Sequence, residues 1–512
     1  MKFSASILSI SFLLASSYHA DLFSSTQSTQ ALVTAPLLPN VAPNSDHLIK
    51  TEHVVAIGDQ TIPYTAVVGS VSIKDKKQQP KANVFYISYT KTGGIDISSR
   101  PITFCFNGGP GSSSVWLHIG ALGPKKVICN SGGLPEFPFR LEDNPYSLLD
   151  LSDLVFIDPV GTGFSKAADG VDRENFFGVD GDIETVAEFI RTYVTQNGRW
   201  LSPKLLIGES YGTTRAAGLA EYLRETAFMA FDGVVLISSV LDWQTIPRGD
   251  FSNDLASILA FPSYAAASWY HKKVNTNKSI DEFLKDAEIF SLMEYNLALI
   301  KGDKLDLKIK DRVVEKMAFF TGLSKDFILN SNMRPTVPTF GKELLKKEGK
   351  FIGRYDSRIQ GDEIYPIESH ALYDPSCERF TQACAATFNA YLHEDLGWVG
   401  SEEYKLLANL FPWNFQRKRS FLLNVSQDLY ETMILNPHMK VFVASGIYDL
   451  ATPYFATEYT LNHMQLNSEL KLNITSKVYP GGHMMYLNMY NLISLKNDLA
   501  DFYKHIGSSS KK

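Results

Sequence analysis

Cysteine is scarce, at 4 of 512 residues. A chain this long with so few must be held together by a large apolar core, not by a disulfide framework. Charge of one sign is scarce as well: 49 Lys+Arg stand against 55 Asp+Glu, a net of −6. There is no basic surplus for nucleic acid or an anionic bilayer, and neither is expected as a partner. No apolar run reaches the ~20 residues that a membrane span requires, so no stable membrane association is expected. H-E-x-x-H spacings and phosphate-cradling glycine loops are missing too, and the chain is read as using no metal and no cofactor. What remains is ordinary globular composition, 45% hydrophobic and 20% charged with 34 Gly and 23 Pro, which excludes collagen-like, disordered and coiled-coil classes.

The N-terminus carries an address. Lys2 precedes the short apolar run Ile7 to Ala15, and small residues follow at Ser16, Ser17 and Ala20. This order reads as a secretory signal peptide over residues 1–20, and the protein is expected to be exported to periplasm, medium or a lumen. Residues 21–50, rich in Ser, Thr, Pro and Ala, read as a flexible leader. Asn277, Asn424 and Asn473 open Asn-x-Ser/Thr sequons, a number near chance for this length. Cys377 and Cys384, seven positions apart in a polar stretch, could close a small disulfide loop. Cys105 and Cys129 fit unpaired thiols and a bridged pair equally well.

From His53 to Thr90, alternating segments such as Val84 to Ser88 read as antiparallel strands. The grammar then changes to short continuous apolar runs separated by helical stretches: Ile102 to Phe106, Leu154 to Ile157, Leu205 to Ile207 and Val234 to Ile237. Runs of this kind predict a mostly parallel central sheet covered by helices on both faces, an α/β class. Apolar pairs at helical spacing among many charges mark 251–412 as a mainly helical insertion. Strand grammar returns at Val441 to Ala444 and Ser476 to Tyr479, and Leu492 to His505 reads as a terminal amphipathic helix. The core is thus expected in two parts, 51–250 and 413–508.

Gly208-Glu-Ser-Tyr-Gly212 lies between an apolar strand and a good helix sequence. In that context G-x-S-x-G is a nucleophile elbow, with Ser210 pushed out of a tight turn above a helix N-terminus. A serine hydroxyl needs a base. Of His463, His483 and His505, only His483 sits in a glycine loop directly after a strand, Pro480-Gly-Gly-His-Met484. Asp449 is the acid on the preceding strand-to-helix turn, which gives the order Ser, Asp, His. The turn Asn107-Gly-Gly-Pro-Gly111 follows another strand, and Gly109 N–H with Tyr211 N–H could stabilise a tetrahedral oxyanion.

These blocks, together with Asp158-Pro-Val-Gly-Thr-Gly-Phe-Ser165, Gly446-x-x-Asp449 and Gly482-His-Met484, resemble the serine carboxypeptidases, which have the α/β-hydrolase fold. The matching blocks run in family order from about residue 100 to 490. The resemblance implies an enzyme that removes C-terminal residues from peptides through an acyl-Ser210 intermediate, with the helical insertion as its lid. It also implies that Asn107, Gly108 N–H and Glu209 bind the terminal carboxylate of a peptide or protein substrate, with Glu209 protonated and activity at acid pH. Three positions depart from the family pattern: Cys105 replaces a Trp, Ser112 a Cys and Ala121 a Glu. The first and third thin the carboxylate site, so an esterase or acyltransferase using the same three residues is the rival reading, and a catalytically silent binding protein the more distant one.

Overall fold

The computed structural model describes residues 48–94, 96–247, 253–365, 371–418 and 422–506. The expected signal peptide and nearly all of the leader lie outside them. The centre is a ten-stranded sheet. Strands Ile49–Ile57, Gln60–Lys74 and Pro80–Lys91 form an antiparallel edge, as the alternating pattern predicts. Pro80–Lys91 then pairs antiparallel with Asp153–Ile157 and, off the main path, with the two-residue strand Lys166–Ala167. From there the order is Asp153–Ile157, Ile102–Phe106, Lys204–Glu209, Gly233–Ile237, Lys440–Gly446 and Ile474–Tyr479, all parallel.

The continuous apolar runs are explained by two cores, one on each face. Leu154, Phe156, Cys105, Leu205, Ile207, Val235 and Phe442 point into one. Their immediate neighbours Val155, Phe104, Leu206, Val234 and Val441 point into the other. Since successive side chains alternate, a strand buried on both faces needs every position apolar. Each such side chain contributes roughly 1.5–3 kcal/mol when withdrawn from water. Helices Val179–Gln196, Tyr211–Ala227 and Ser426–Leu435 cover one face through Ile183, Leu219 and Leu429. Pro375–Glu394 and Met489–Lys504 cover the other through Phe380, Phe388, Leu492 and Leu499.

The helical segment expected over 251–412 divides into two packing environments. Helices Asp254–Tyr270, Ile280–Phe290, Leu307–Thr321, Lys325–Asn330 and Val337–Glu343 build a third core of their own. That core also takes in Tyr448, Leu450, Tyr454 and Phe455. Helix Pro375–Glu394, by contrast, is a covering helix of the sheet. Its placement corrects the proposed Cys377–Cys384 disulfide. The polar stretch is not a loop: Asp374 caps the helix by accepting from Ser376 N–H, and Pro375 opens it. Seven helical residues advance about 10.5 Å, beyond the ~7 Å that a disulfide bridges. Cys377, Cys384, Cys105 and Cys129 are all free thiols.

At the amino ends of the parallel strands, Asp153 binds two buried arginines. Its Oδ1 accepts from Arg100 Nε at 2.7 Å and its Oδ2 from Arg199 Nη1 at 2.6 Å. The opposite, carboxyl edge is where Ser210, Asp449 and the His483 loop emerge, the usual location of chemistry in open α/β sheets.

Candidate active site

Ser210 follows the buried strand Lys204–Glu209 and precedes helix Tyr211–Ala227. Its backbone sits at φ 59°, ψ −128°, a conformation an L-residue holds only under constraint from its surroundings. The flanking glycines permit the turn. A Cβ on Gly208 would lie 2.1 Å from the Gly212 carbonyl oxygen, and one on Gly212 would lie 2.8 Å from that of Phe106. Ser210 N–H donates to the Ile237 carbonyl at 2.9 Å, tying the elbow to the neighbouring strand.

The imidazole arrives from the far edge of the sheet. Its backbone is clamped on both sides, His483 N–H donating to the Tyr355 carbonyl and Ser238 Oγ donating to the His483 carbonyl. A Cβ on Gly446 would lie 2.2 Å from the Gly482 carbonyl oxygen, so the Gly446-x-x-Asp449 turn and the histidine loop touch through glycine. Their meeting sets Asp449 Oδ2 at 2.7 Å from His483 Nδ1. The fully buried Asp449 carboxylate is otherwise saturated, accepting from Ala451 N–H, Thr452 N–H and Thr452 Oγ. Burial alone would lower the His483 pKa, but the Asp449 charge and hydrogen bond, with Glu209 nearby, hold it above its usual value.

Ser210 and His483 line one cavity of about 150 Å³, together with Asn107, Gly109, Glu209 and Trp243. No hydrogen bond joins Ser210 Oγ to His483 Nε2, and neither atom is engaged by another group among the described residues. Such contacts are often loose before substrate binds. The 107–111 turn lies directly on the elbow: a Cβ on Gly108 would sit 2.5 Å from Tyr211 N. Neither Gly109 N–H nor Tyr211 N–H donates to an acceptor among the described residues. A larger polar groove of about 780 Å³, lined in part by Lys81, Asp180 and Arg417, shares no lining residue with this cavity.

Glu209 is the unusual group. It is 3% exposed, and its Oε2 accepts from Asn107 Nδ2 at 2.9 Å and from the Tyr486 hydroxyl at 2.5 Å. Both bonds favour the carboxylate, as does the nearby His483. Burial outweighs them and pushes the pKa up to about 7. Asn107 is oriented from its other end, where Oδ1 accepts from Leu117 N–H.

Several supporting residues had no motif of their own. Tyr486 lies three residues beyond His483 on a short turn and was detectable only through that spacing. Arg215 is 1% exposed. It donates to Asp182 at 2.8 Å and to the Asn107 carbonyl at 2.6 Å, between the rings of Phe106 and Tyr211. It thereby fastens the elbow helix to the glycine turn. The Asp158 motif is a second fastener. Asp158 accepts from Ser114 N–H and Oγ and from the Tyr404 hydroxyl. Burial lifts its carboxyl to about 6. The departures also have places: Cys105 and Ala121 are buried in the sheet-face core, whereas Ser112 lines the cavity.

An α/β-hydrolase sheet with a serine elbow, an Asp-paired histidine and a glycine turn defines the class. The more particular kinship comes from comparison. The serine carboxypeptidase family model matches residues 58–249, a little over a third of the chain. The pheromone-processing carboxypeptidase KEX1 of Saccharomyces cerevisiae is 32% identical over 147 residues, 27% of this chain and 19% of that protein. Serine carboxypeptidase-like 45 of Arabidopsis thaliana is 28% identical over 196 residues, 37% of this chain and 39% of that protein. The chain therefore matches well under half the length of these curated relatives. The crystal structure of KEX1ΔP, a prohormone-processing carboxypeptidase from S. cerevisiae, superimposes over 88% of this chain and 93% of its own, with TM-score 0.54 and 15% identity. The chain is similar to the serine carboxypeptidases over this part of its length and has the α/β-hydrolase fold, as the motifs imply.

Proposed function

We propose that the protein is a serine carboxypeptidase that releases single residues from peptide C-termini. The observation that carries this reading is Glu209. A carboxyl next to the nucleophile, buried and raised to about 7, is neutral in mildly acidic solution and can then donate a hydrogen bond to another carboxylate. Its Oε2 is occupied by Asn107 and Tyr486, which leaves Oε1 to carry the proton. The second Nδ2 hydrogen of Asn107 and Gly108 N–H complete a site for a free α-carboxylate. An ester substrate or a small alcohol acceptor has no such charge to place there.

The chemistry follows from the neighbouring groups. His483 Nε2 takes the Ser210 proton as Oγ attacks the scissile carbonyl, and Asp449 holds Nδ1–H and the resulting imidazolium. Gly109 N–H and Tyr211 N–H receive the oxyanion. His483 then protonates the departing amine, and water hydrolyses the acyl-serine by the same route. The apolar run and small residues at the N-terminus support export, and among the described residues no helix is long and apolar enough to cross a membrane. The test compares an N-blocked dipeptide with its C-terminal amide at pH 5. We expect strong preference for the free acid and no turnover by Ser210→Ala. Equal rates on acid and amide would refute exopeptidase action, and an active Ser210→Ala would refute the nucleophile.

A further inference from the structure

The cavity around Ser210 has a neighbour of about 580 Å³. The two share Arg354 and Tyr355. A volume in the ligand-site range of about 300–1,000 Å³ is more than a single released residue fills. On the carboxypeptidase reading only the acyl side of the substrate continues as a chain, so the neighbouring space belongs to that side. Arg354 stands where the two cavities meet.

The guanidinium is exposed and has no acceptor or ion-pair partner among the described residues. Of the other charged side chains nearby, Arg358 pairs with Asp356 and Lys342 with Glu363, while the Asp374 carboxylate, in the lining of the larger cavity, accepts from Ser376 N–H and Oγ and from the Arg354 backbone. Its backbone is fixed, with Arg354 N–H donating to Asp374 Oδ2 at 3.0 Å and its carbonyl accepting from Leu450 N–H at 3.0 Å. The guanidinium carbon lies 5.4 Å from the Tyr355 ring centroid. That ring in turn sits 5.0 Å from the His483 imidazole. Arg354 is thus a positioned cation, unpaired among the described residues, one aromatic ring away from the proposed base, and a guanidinium fork matches a carboxylate in two-point geometry.

We propose that Arg354 binds the side-chain carboxylate of the residue that contributes the scissile carbonyl, giving the enzyme a preference for Glu or Asp at that position. This rests on the carboxypeptidase reading.

The test uses N-acylated tripeptides Ala-Xaa-Leu with a free C-terminus, Xaa being Glu, Gln or Lys, at pH 6. For the wild type we expect kcat/KM for Glu to exceed that for Gln by about tenfold, the usual size of one charge-assisted bond. The ratio should collapse to about one in Arg354→Gln, and Arg354→Glu should favour Lys. Unchanged thermal midpoints serve as the fold control. A wild-type Glu/Gln ratio at or below one overturns the proposal. So does a ratio that survives in Arg354→Gln, including the case in which all three peptides slow equally because loss of the guanidinium raises the His483 pKa. Release of leucine from the Gln peptide shows that the parent reading stands; if no peptide loses leucine, that reading fails and takes this one with it.

Discussion

Replacing Glu209 by Gln separates the proton on this residue from every other titration in the site. In the wild type the group titrates at about 7. It is neutral in about 99% of molecules at pH 5 and in about 1% at pH 9, so binding of a substrate carboxylate should weaken about tenfold per pH unit above 7. Gln has the same shape and keeps an N–H donor at every pH. The variant should therefore lose the alkaline fall in kcat/KM, while the acid limb, which belongs to His483 in both proteins, persists and moves to lower pH because the Glu209 charge no longer raises the imidazole. A second readout is stability. The folded pKa is raised above the 4.5 of an unperturbed glutamate, so the folded state holds a proton that the unfolded chain releases between these values. The stabilisation is full below about pH 4.5 and is lost as pH rises through 7. At about 1.4 kcal/mol per unit the difference is about 3 kcal/mol. Urea midpoints at pH 4.5 and 8 should show this loss in the wild type and a smaller one in Glu209→Gln. A variant with the wild-type fall in kcat/KM above pH 7 would refute the reasoning.

Tyr486→Phe removes a hydrogen bond that favours the charged form of Glu209; the alkaline limb should move to higher pH, and a shift to lower pH would contradict the assignment. Asp153→Asn leaves Arg100 and Arg199 buried against a neutral amide. It should cost about 3–5 kcal/mol in denaturant unfolding, and a loss below 1 kcal/mol would show that water relieves the arginines. Of the three sequons, Asn424 and Asn473 spend their amides on Asp242 and the Pro437 carbonyl, whereas Asn277 is exposed. In a glycosylating host, Asn277→Gln should abolish any glycan mass shift, and persistence of the shift would locate the sugar on a residue that the fold already uses.

The parts of the fold that were legible are those written in contiguous residues. A strand buried on both faces must be apolar at every position, so Leu205 to Ile207 and Val234 to Ile237 stood out. Gly208 and Gly212 announced the elbow because no side chain fits beside the Gly212 and Phe106 carbonyls. Contacts made by distant segments left no such mark. Nothing near Glu209 foretells the Tyr486 hydroxyl, and nothing near Asp182 foretells Arg215. The Cys377 to Cys384 stretch misled for a related reason. Its surface polarity looked like a loop, while its buried residues Phe380, Ala383, Cys384 and Phe388 follow helical spacing against a core supplied from elsewhere.

The third core has a mechanical implication. Tyr448 and Leu450, the residues on either side of Asp449, are rooted in the interior of the helical insertion. The insertion is consequently a footing for the acid and cannot swing as a detached flap. Any rocking of its helices would pull on the Asp449 backbone and lengthen the bond from its carboxylate to Nδ1. Overfilling that distant interior, for instance at Ala266 or Ala287, should register as lost turnover although no altered atom approaches the substrate.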